Sequence, residues 1–418
     1  MRKKKIALMV SAFAMIVAIA LSGCSGINDS VKIDAKKSQL GNKMEQWGQK
    51  YPNQYNSIYA DVGTTMDEHS HGGRLKWICE IPTPRTGAGT MIRDENGRIA
   101  VDNVYLNYET GEWVVEMPEK GDYSEFGLSV SCYKCKTQIY NDYVDKYGAE
   151  NISGVPITDD TIAYVDDQYF NCATCHEGDP GEGNPSPQIY GFMDENGKYG
   201  ALMEGVDAKI TVCAQCHNSS SGTGIDAETV FEGRSVTTDP NGLEIKKVFH
   251  PDAEMVLSSN HYSLGLTCVD CHMTQETAED GSTYTSHTAS QPVLENEAAL
   301  ELCLTCHNSQ GIKTTGEMRE MVKSLQADCA ERTVAIYDRQ VALGKAIAEA
   351  KANGTLSETD LKTVLENYKW IYYYRSWLWD DNNNPLDPGT KIPMNAADTR
   401  DVIDRVEAML EDTEALLR

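Results

Sequence analysis

The repeated segment that decides the fold is Cys172-Ala173-Thr174-Cys175-His176, in which two cysteines three residues apart are followed at once by a histidine. The C-x-x-C-H pattern returns three more times, at Cys213-Ala214-Gln215-Cys216-His217, Cys268-Val269-Asp270-Cys271-His272 and Cys303-Leu304-Thr305-Cys306-His307. A fifth segment, Cys132-Tyr133-Lys134-Cys135-Lys136, has the same cysteine spacing but ends in lysine. Ten of the 13 cysteines therefore belong to one repeated motif.

The spacing of this motif has a chemical cause. Two thiols three residues apart can form thioethers to both vinyl groups of one haem, and the next residue then lies beneath the iron as its proximal ligand. Zinc knuckles and disulfides are the alternatives, but zinc does not need the trailing histidine, and the export argued below disfavours thiolate zinc sites. The motifs therefore predict a multihaem c-type cytochrome with five covalently bound haems.

Lys136 stands where the other four motifs have histidine. An amine can bind iron only when deprotonated, so the metal and burial would have to overcome the ordinary lysine pKa of ~10.4. An electron-transfer haem is normally closed by two axial side chains, whereas a catalytic haem keeps one position free. We interpret Lys136 as the ligand of a haem with a different task. The alternatives are a motif without haem and a solvated lysine beside it.

The composition agrees with this interpretation. The 418 residues include 63 Asp and Glu against 37 Lys and Arg, and the formal net charge of −26 excludes a phosphate-binding surface as the default. Only 8% of the residues are aromatic, so the chain brings little apolar bulk for its length. Because haems supply large apolar faces, we expect a loop-rich and glycine-rich core between Cys132 and His307.

The first residues read as a targeting segment. Arg2 to Lys5 are basic, Ile6 to Leu21 are mostly apolar, and Leu21-Ser22-Gly23-Cys24 resembles a bacterial lipoprotein box. We predict a signal peptide over 1–23, with Cys24 lipidated and the protein anchored on the extracytoplasmic side, in the periplasm or at the cell surface. Its removal deletes four basic residues and no acidic one, which takes the net charge to −30. An uncleaved anchor helix is the alternative.

Three regions follow this segment. Residues 24–130 contain a β-rich insertion at 86–126, where Asp94-Glu95-Asn96-Gly97 predicts a hairpin turn before the alternating stretch Ile99–Leu106. Glu109-Thr110-Gly111 then precedes Trp113–Met117. Residues 131–310 form the five-haem core, in which Asp194-Glu195-Asn196-Gly197 predicts another small hairpin.

Residues 311–418 predict long helices. Thr314 with Glu317 forms a capping box that opens a helix to about Ala352, ended by Asn353-Gly354. Ser357 with Asp360 opens a second helix, broken near Asp381–Pro388, and a third runs from Asn395 to the last residue. We expect these helices to serve packing or oligomerisation. The fold class predicted is mainly α, with a loop-rich haem core, small β-hairpins and long C-terminal helices. Cys79 and Cys329 are left as buried small hydrophobes, or alternatively as a disulfide.

One C-x-x-C-K motif, four C-x-x-C-H motifs and terminal long helices in this order resemble the ammonia-forming pentahaem cytochrome c nitrite reductases. The resemblance covers roughly Ser70 to the C-terminus. It implies a homodimer that joins through the long helices and a haem layout ending at the Lys136 haem. It also implies catalytic roles for Lys136, for Arg85 in Arg85-Thr86-Gly87-Ala88 and for His250 in Phe249-His250-Pro251.

The resemblance also implies distal iron ligands. His261 lies seven residues before Cys268, and His287 ends Tyr284-Thr285-Ser286-His287. His71 would be the distal ligand of the Cys213/Cys216 haem, with His69 as its competitor. Nine histidines less four proximal ones leave five, and one of those is His250. Four distal histidines, one for each C-x-x-C-H haem, are therefore available only if both His69 and His71 bind iron.

Several residues depart from the family pattern. After His217 the family has a Glu-Tyr pair that serves calcium and the active site, whereas this chain has Asn218-Ser219, and Phe249 replaces a calcium-binding Gln. We therefore expect calcium to be absent. The family's last distal histidine would fall in Trp379–Pro385, which has none. We predict that the Cys268/Cys271 haem lacks a second histidine, unless His69 or Met394 reaches it.

By resemblance, the function implied is six-electron reduction of nitrite to ammonium, with electrons from a membrane multihaem quinol dehydrogenase. In this interpretation Arg85 offsets the anionic charge of the substrate, and His250 donates a hydrogen bond or proton. Reduction of another small nitrogen or sulfur compound, such as hydroxylamine or sulfite, is the first alternative, because the active-site Tyr is missing. A non-catalytic electron conduit to an extracellular acceptor is the second, because the body is acidic and anchored.

Overall fold

The three longest helices lie in the C-terminal region of the chain. In the computed structural model the described residues are 47–59, 92–93, 99–100, 104–107, 112–115, 130–135, 139–155, 172–177, 179–181, 185–193, 198–219, 224–248, 251–289, 293–379 and 391–418. Within these ranges the protein is mainly helical with small antiparallel strand pairs, as the sequence predicts. None of the helices described is both long and apolar enough to cross a membrane.

The haem-motif region consists of short helices joined by loops, as expected for the core between Cys132 and His307. We number the elements in chain order, with α1 at Pro52–Tyr59 before the region. The helices that follow are α2 Ile139–Tyr147, α3 Tyr190–Met193, α4 Lys198–Leu202, α5 Ala208–Ala214, α6 Ala227–Gly233, α7 Asp252–Leu257, α8 Asn260–Ser263, α9 Cys268–His272 and α10 Glu297–His307. Single 3₁₀ turns cover Val130–Cys135, Ile152–Gly154, Cys172–Thr174, Val293–Glu295 and Asn308–Gln310.

The C-terminal helices begin and end where their capping residues predict. Helix α11 spans Thr315–Asn353, with the reciprocal capping box of Thr314 and Glu317 at its start and Gly354 at φ 62° after its end. Helix α12 spans Glu358–Leu378 behind the cap of Ser357, and α13 spans Ala396–Leu416 behind the cap of Asn395. The predicted break at Asp381–Pro388 lies outside the described residues.

These three helices pack around one apolar core, which they share with residues of the haem-motif region such as Phe231 and Ile245. Ile336, Ile371 and Val406, one from each helix, are at most 1% exposed and belong to the same cluster. Helices α11 and α13 are further joined by ion pairs, such as Arg339 Nε to Glu414 Oε1 at 3.0 Å. Cys329 is buried in α11, in agreement with its predicted role as a small hydrophobe, while Cys79 lies outside the described residues.

Helices α11 and α12 approach each other closely at Gly344. A Cβ atom added at this glycine would clash with the hydroxyl group of Tyr368. That hydroxyl accepts a hydrogen bond from Gln340 Nε2 at 3.0 Å and donates one to Asp239 Oδ2 at 2.8 Å. The network anchors the long helices to the turn of a small hairpin in the haem-motif region.

Four two-stranded hairpins complete the described part of the fold. Strands β1 Ile92–Arg93 and β2 Ile99–Ala100 pair around the predicted Asp94–Gly97 turn, and β3 Val104–Asn107 pairs with β4 Glu112–Val115. The stretch Ile99–Leu106 is therefore two short strands in different hairpins. Strands β5 Thr237–Thr238 and β6 Glu244–Ile245, and strands β7 Gln275–Thr277 and β8 Thr283–Thr285, form two further pairs.

The hairpin predicted at Asp194–Gly197 is wrong. Its two flanks are the short helices α3 and α4, although the four turn residues themselves lie outside the described residues. The same four-letter turn sequence follows strand-forming residues at Ile92 but follows Tyr190–Met193 here, so its context decides the structure of its flanks. The region boundaries at residues 23, 130 and 310 stay predictions.

Candidate haem-binding site

Each cysteine motif folds as a helical turn. Cys132 and Cys135 lie on the 3₁₀ turn Val130–Cys135, and the other motifs lie on a 3₁₀ turn or at the ends of α5, α9 and α10. The amide of His176 donates to the carbonyl of Cys172 at 2.9 Å, and that of His217 donates to Cys213 at 2.8 Å. Residues i and i+3 of such a turn share one face, and i+4 follows them. In the four C-x-x-C-H motifs the turn therefore presents both thiols and the next side chain to one ligand.

Neighbouring motifs are held against each other. In chain order the motifs begin at Cys132, Cys172, Cys213, Cys268 and Cys303, and we number them one to five. The side-chain oxygen of Gln215, a variable residue inside the third motif, accepts from the amides of Gln188 and Ile189 at 3.0 and 3.1 Å. Its amide nitrogen donates to Thr174 O in the second motif at 2.8 Å. The thiols of Cys213 and Cys268 lie within hydrogen-bonding reach of each other. The second, third and fourth motifs thus form a continuous series.

The ring of His176 faces the ring of His287, with the two centroids 6.5 Å apart. Because a metal–imidazole bond is ~2.0 Å long and the bonded nitrogen lies ~1.2 Å from the ring centre, two imidazoles on opposite sides of one iron have centroids ~6.4 Å apart. The observed separation fits one iron between the rings. Burial, with a smaller contribution from His287, lowers the pKa of His176 to about 4, which keeps the imidazole neutral as a ligand must be.

His287 is held in place through its ring and through its backbone amide. Its Nδ1 lies 2.9 Å from the carbonyl of Thr285, which as acceptor fixes the tautomer and leaves Nε2 for a metal. Its own amide donates to Ser57 Oγ of helix α1 at 2.9 Å. Burial lowers the pKa of this histidine as well. A residue more than two hundred positions away thus positions the predicted distal ligand.

His261 and His307 form a second pair of the same kind. Their ring centroids are 6.4 Å apart, again the separation that one iron requires. Nδ1 of His307 lies 3.1 Å from Gln310 Oε1 in the turn that follows α10. The predicted distal residues His261 and His287 therefore stand opposite the proximal residues of the fifth and second motifs.

The third and fourth motifs differ from these two. Of the six histidines that the structure describes, four form the pairs above, and the two left are the proximal residues His217 and His272. Nδ1 of His217 lies 2.9 Å from Asp252 Oδ2, and the ring of His272 donates to the carbonyl of Ala289. In the segment Trp379–Pro385, where the family pattern would place a distal histidine, the described residue Trp379 packs against Tyr337 with 5.7 Å between the ring centroids.

Burial raises the pKa of three thiols of the motifs. It raises the pKa of Cys172 to about 11 and those of Cys175 and Cys271 to about 12. Thiolates are therefore disfavoured here, whereas zinc binding through cysteine requires thiolates. A thioether carries no charge, so the donor set fits covalent haem better than zinc.

Several predicted site residues lie outside the described part of the chain. They are the catalytic candidates Lys136, Arg85 and His250, the distal candidates His71 and His69, and the lipidation candidate Cys24. Of the Lys136 motif, the structure describes the backbone turn up to Cys135. The roles of all these residues stay predictions.

A half-buried cation, Arg234, links two segments that the sequence did not connect. Arg234 donates from Nε to the carbonyl of Lys247 at 2.8 Å and from Nη1 to the carbonyl of Ser219 at 2.7 Å. The amide of Ser219 donates in turn to Glu254 Oε1 at 2.9 Å, and Glu254 is fully buried. The partners of Arg234 are separated from it by at least 13 residues, so no local pattern marked it; the Asn-Ser after His217 was the only signal nearby.

Comparisons with known proteins agree with this arrangement. Residues 233–384 match the family described as Cytochrome c552. Cytochrome c-552 of Haemophilus ducreyi is 26% identical over 260 residues, which cover 56% of this chain and 46% of that protein. The chain thus aligns with about half the length of this curated relative.

One solved structure shares the fold. The catalytic subunit (NrfA) of cytochrome c nitrite reductase from Desulfovibrio desulfuricans, a structure with two calcium sites, matches with a TM-score of 0.61 at 16% identity, covering 90% of this chain and 85% of that one. An outer cell wall cytochrome, OcwA, matches with a TM-score of 0.37 at 20% identity over 68% of this chain and 45% of that one. The first match shows a shared fold.

Proposed function

We propose that this divergent member of the cytochrome c552 family, a mainly helical protein with covalently bound c-type haems, reduces nitrite to ammonium. The observation that carries the proposal is the pairing of His176 with His287 and of His261 with His307 at separations of 6.5 and 6.4 Å. Those histidines are the ones that the resemblance to nitrite reductases pairs with haem. The shared fold with a nitrite reductase catalytic subunit supports it further.

The proposed reaction takes place at the haem attached to Cys132 and Cys135, the first motif in the chain. A haem iron with one open position supplies a binding site for nitrite and a route for six electrons. Lys136 would hold the haem iron, Arg85 would offset the charge of the anion, and His250 would donate a hydrogen bond or proton to the substrate oxygen. Because the body of the protein is acidic, this local positive charge has to attract nitrite.

The other four haems are proposed to conduct electrons. The second, third and fourth motifs already touch through Gln215 and through Cys213 with Cys268. His176 and His287 would hold the haem at Cys172/Cys175, and His307 and His261 would hold the haem at Cys303/Cys306. At Cys268/Cys271 we propose that the second histidine is missing and that the iron is five-coordinate or binds water.

We propose that no calcium is bound beside the third motif. The guanidinium of Arg234 bridges the carbonyls of Ser219 and Lys247 there, so a positive charge already neutralises these oxygen atoms. In that case metal analysis of the purified protein finds iron at five per chain and calcium at a background level. Stoichiometric calcium that survives chelation would contradict this assignment.

The proposed protein works outside the cytoplasm. Lipidation of Cys24 would anchor it to a membrane, next to a multihaem quinol dehydrogenase as electron donor. The long helices α11 to α13 would form the interface of a homodimer. Each of these statements rests on the sequence and on the resemblance.

Turnover by the purified, haem-loaded protein tests the proposed activity. With reduced viologen as donor, we expect nitrite to disappear and ammonium to form in equal amounts. Lys136→Ala should lower this turnover by at least about a hundredfold, as for loss of an acting catalytic group, while Lys134→Ala in the same motif is the matched control. Mass spectrometry of both variants reports haem content. Normal turnover by His250→Ala would show that the active site is assigned wrongly.

Reduction of sulfite or hydroxylamine is the second candidate, because no phenol follows His217. Asn218 turns back to donate to Ala214 O at 2.6 Å, and Ser219 is 1% exposed beside Glu254. The same assay with these two substrates, measuring sulfide and ammonium, separates the candidates. If none of the three substrates is reduced while all haems reduce normally, the protein is an electron conduit.

A further inference from the structure

The side chains behind His217 form a row of charged groups that haem attachment does not explain. Nδ1 of His217 lies 2.9 Å from one carboxylate oxygen of Asp252, and the other oxygen lies 3.3 Å from Lys391 Nζ. The side chains of Asp252 and Lys391 are 17% and 8% exposed. An imidazole, a carboxylate and an amine thus follow one another, largely shielded from water.

The backbone holds Asp252 in this row. Asp252 is the first residue of helix α7, and the amide of the next residue, Ala253, donates to the carbonyl of His217 at 3.1 Å. His217 therefore binds the start of α7 twice, once through its ring and once through its carbonyl. The backbone contact keeps the Cα atom of Asp252 close to His217, within reach of its ring.

Lys391 is held from the other side. Four residues later, Asn395 donates from Nδ2 to the carbonyl of Met255 at 3.1 Å and to Ser258 Oγ at 3.0 Å. The segment 391–395 is therefore docked along helix α7, which begins with Asp252. Both ends of the ion pair are fixed on the same short helix.

The burial of Lys391 needs a reason. The residue is 6% exposed, and its Nζ makes no hydrogen bond within the described part of the chain, where the ion pair with Asp252 is its recorded contact. A buried charge is costly unless it is paired. A lysine placed here acts on the carboxylate, and through it on the imidazole.

We propose that Asp252 and Lys391 set the reduction potential of the haem attached at Cys213 and Cys216. A carboxylate that accepts from Nδ1–H makes the imidazole a stronger donor to iron and favours the oxidised haem. The positive charge of Lys391 draws electron density from the carboxylate and opposes that effect. Asp252 and Lys391 are positioning residues that act through His217. The proposal rests on a haem at this motif, and it stands or falls independently of the substrate reduced.

Potentiometric titration of the haem-loaded protein, followed by electron paramagnetic resonance, tests this. The signal of the third haem is identified by its loss in a variant with both Cys213 and Cys216 changed to Ser. At a fixed applied potential, Asp252→Asn should raise the ratio of reduced to oxidised haem at least tenfold, about 59 mV for one electron. Lys391→Met should lower the ratio, the double variant should lie between them, and Lys391→Arg should stay near the parent protein.

Opposite shifts distinguish an electrostatic role from a structural one, because structural damage would move both variants in the same direction. Lys369→Met is the matched control: it breaks an ion pair with Glu244, 3.0 Å long, that does not include His217 or Asp252, and it should leave the ratio unchanged. Equal shifts in the two single variants, or an unchanged ratio in Asp252→Asn with full haem content, would overturn the proposal. If Lys391→Met does not fold, the Asp252→Asn result alone decides.

Discussion

The C-terminal helices and the haem-motif region are built on different principles. Helices α11 to α13 are long and pack around an apolar core of side chains, with Ile336, Ile371 and Val406 at most 1% exposed. Phe231 and Ile245 of the haem-motif region join the same core. The haem-motif region has short helices, and its rings stand in pairs separated by the width of an iron and its two bonds. One region is stabilised by its own side chains, whereas the other is arranged around a group that the sequence does not encode.

The largest expected effect follows from withholding haem. When the full chain is produced without cytochrome c maturation, we expect amides of 139–219 to lose their protection from hydrogen exchange. Amides inside α11 to α13 should stay protected, because the apolar side chains of their core pack against each other and against residues 227–255. Hydrogen exchange followed by mass spectrometry measures both regions at once, with the haem-loaded protein as control. Equal loss in both regions would show that the long helices also depend on haem.

Removal of one predicted axial ligand tests the haem-motif region. His287→Ala should convert the haem at Cys172/Cys175 from low spin to high spin, because it loses a strong nitrogen ligand. Electron paramagnetic resonance of the oxidised protein counts the change. The parent should already show two high-spin ferric haems per chain, at Lys136 and at Cys268/Cys271, and the variant should show three. A parent with one high-spin haem would mean that the fourth motif has a distal ligand after all.

In the C-terminal region the corresponding test removes a core side chain. Ile371→Ala should lower the free energy of unfolding by about 3 kcal/mol, since Ile371 is fully buried and the change leaves a cavity. Thermal and denaturant unfolding followed by circular dichroism measure the loss. Haem spectra should not change. Lys362→Ala, an exposed position of the same helix, is the control and should stay within about 0.5 kcal/mol.

The smallest effect expected comes from a helix cap. Thr314→Ala removes the oxygen that accepts from the amide of Glu317 at 3.1 Å, which should cost about 1 kcal/mol. Exposed Ser324 of the same helix, changed to Ala, is the control. The same unfolding measurement applies. An unchanged stability in Thr314→Ala would mean that the start of α11 is fixed by contacts elsewhere.

The long helices could be predicted because their signals are local. Thr314 and Glu317, Ser357 and Asp360, and Asn395 all lie within four residues of the helix starts that they fix. The hairpin of β7 and β8 escaped prediction, although it positions Thr285 beneath His287. The Asp194–Gly197 turn misled, because its flanks are helical.

The residues of the candidate site also differ in whether the sequence could predict them. The covalent motifs follow from spacing, and His261 and His287 followed from a family pattern. Asp252, Lys391 and Arg234 could not be found in this way, because each acts on a residue 13 to 139 positions away and belongs to no motif. Only the folded chain brings a carboxylate to Nδ1 of His217.

Gln215 carries a consequence for how fast the protein works. It occupies a position that the motif leaves free, yet its amide nitrogen donates to Thr174 O in the second motif, and its oxygen accepts from the amides of Gln188 and Ile189. Electron tunnelling slows exponentially as the gap between two centres widens. A single amide side chain thus helps to fix the distance between two haem motifs. Its replacement would slow electron transfer between them even with every iron ligand intact.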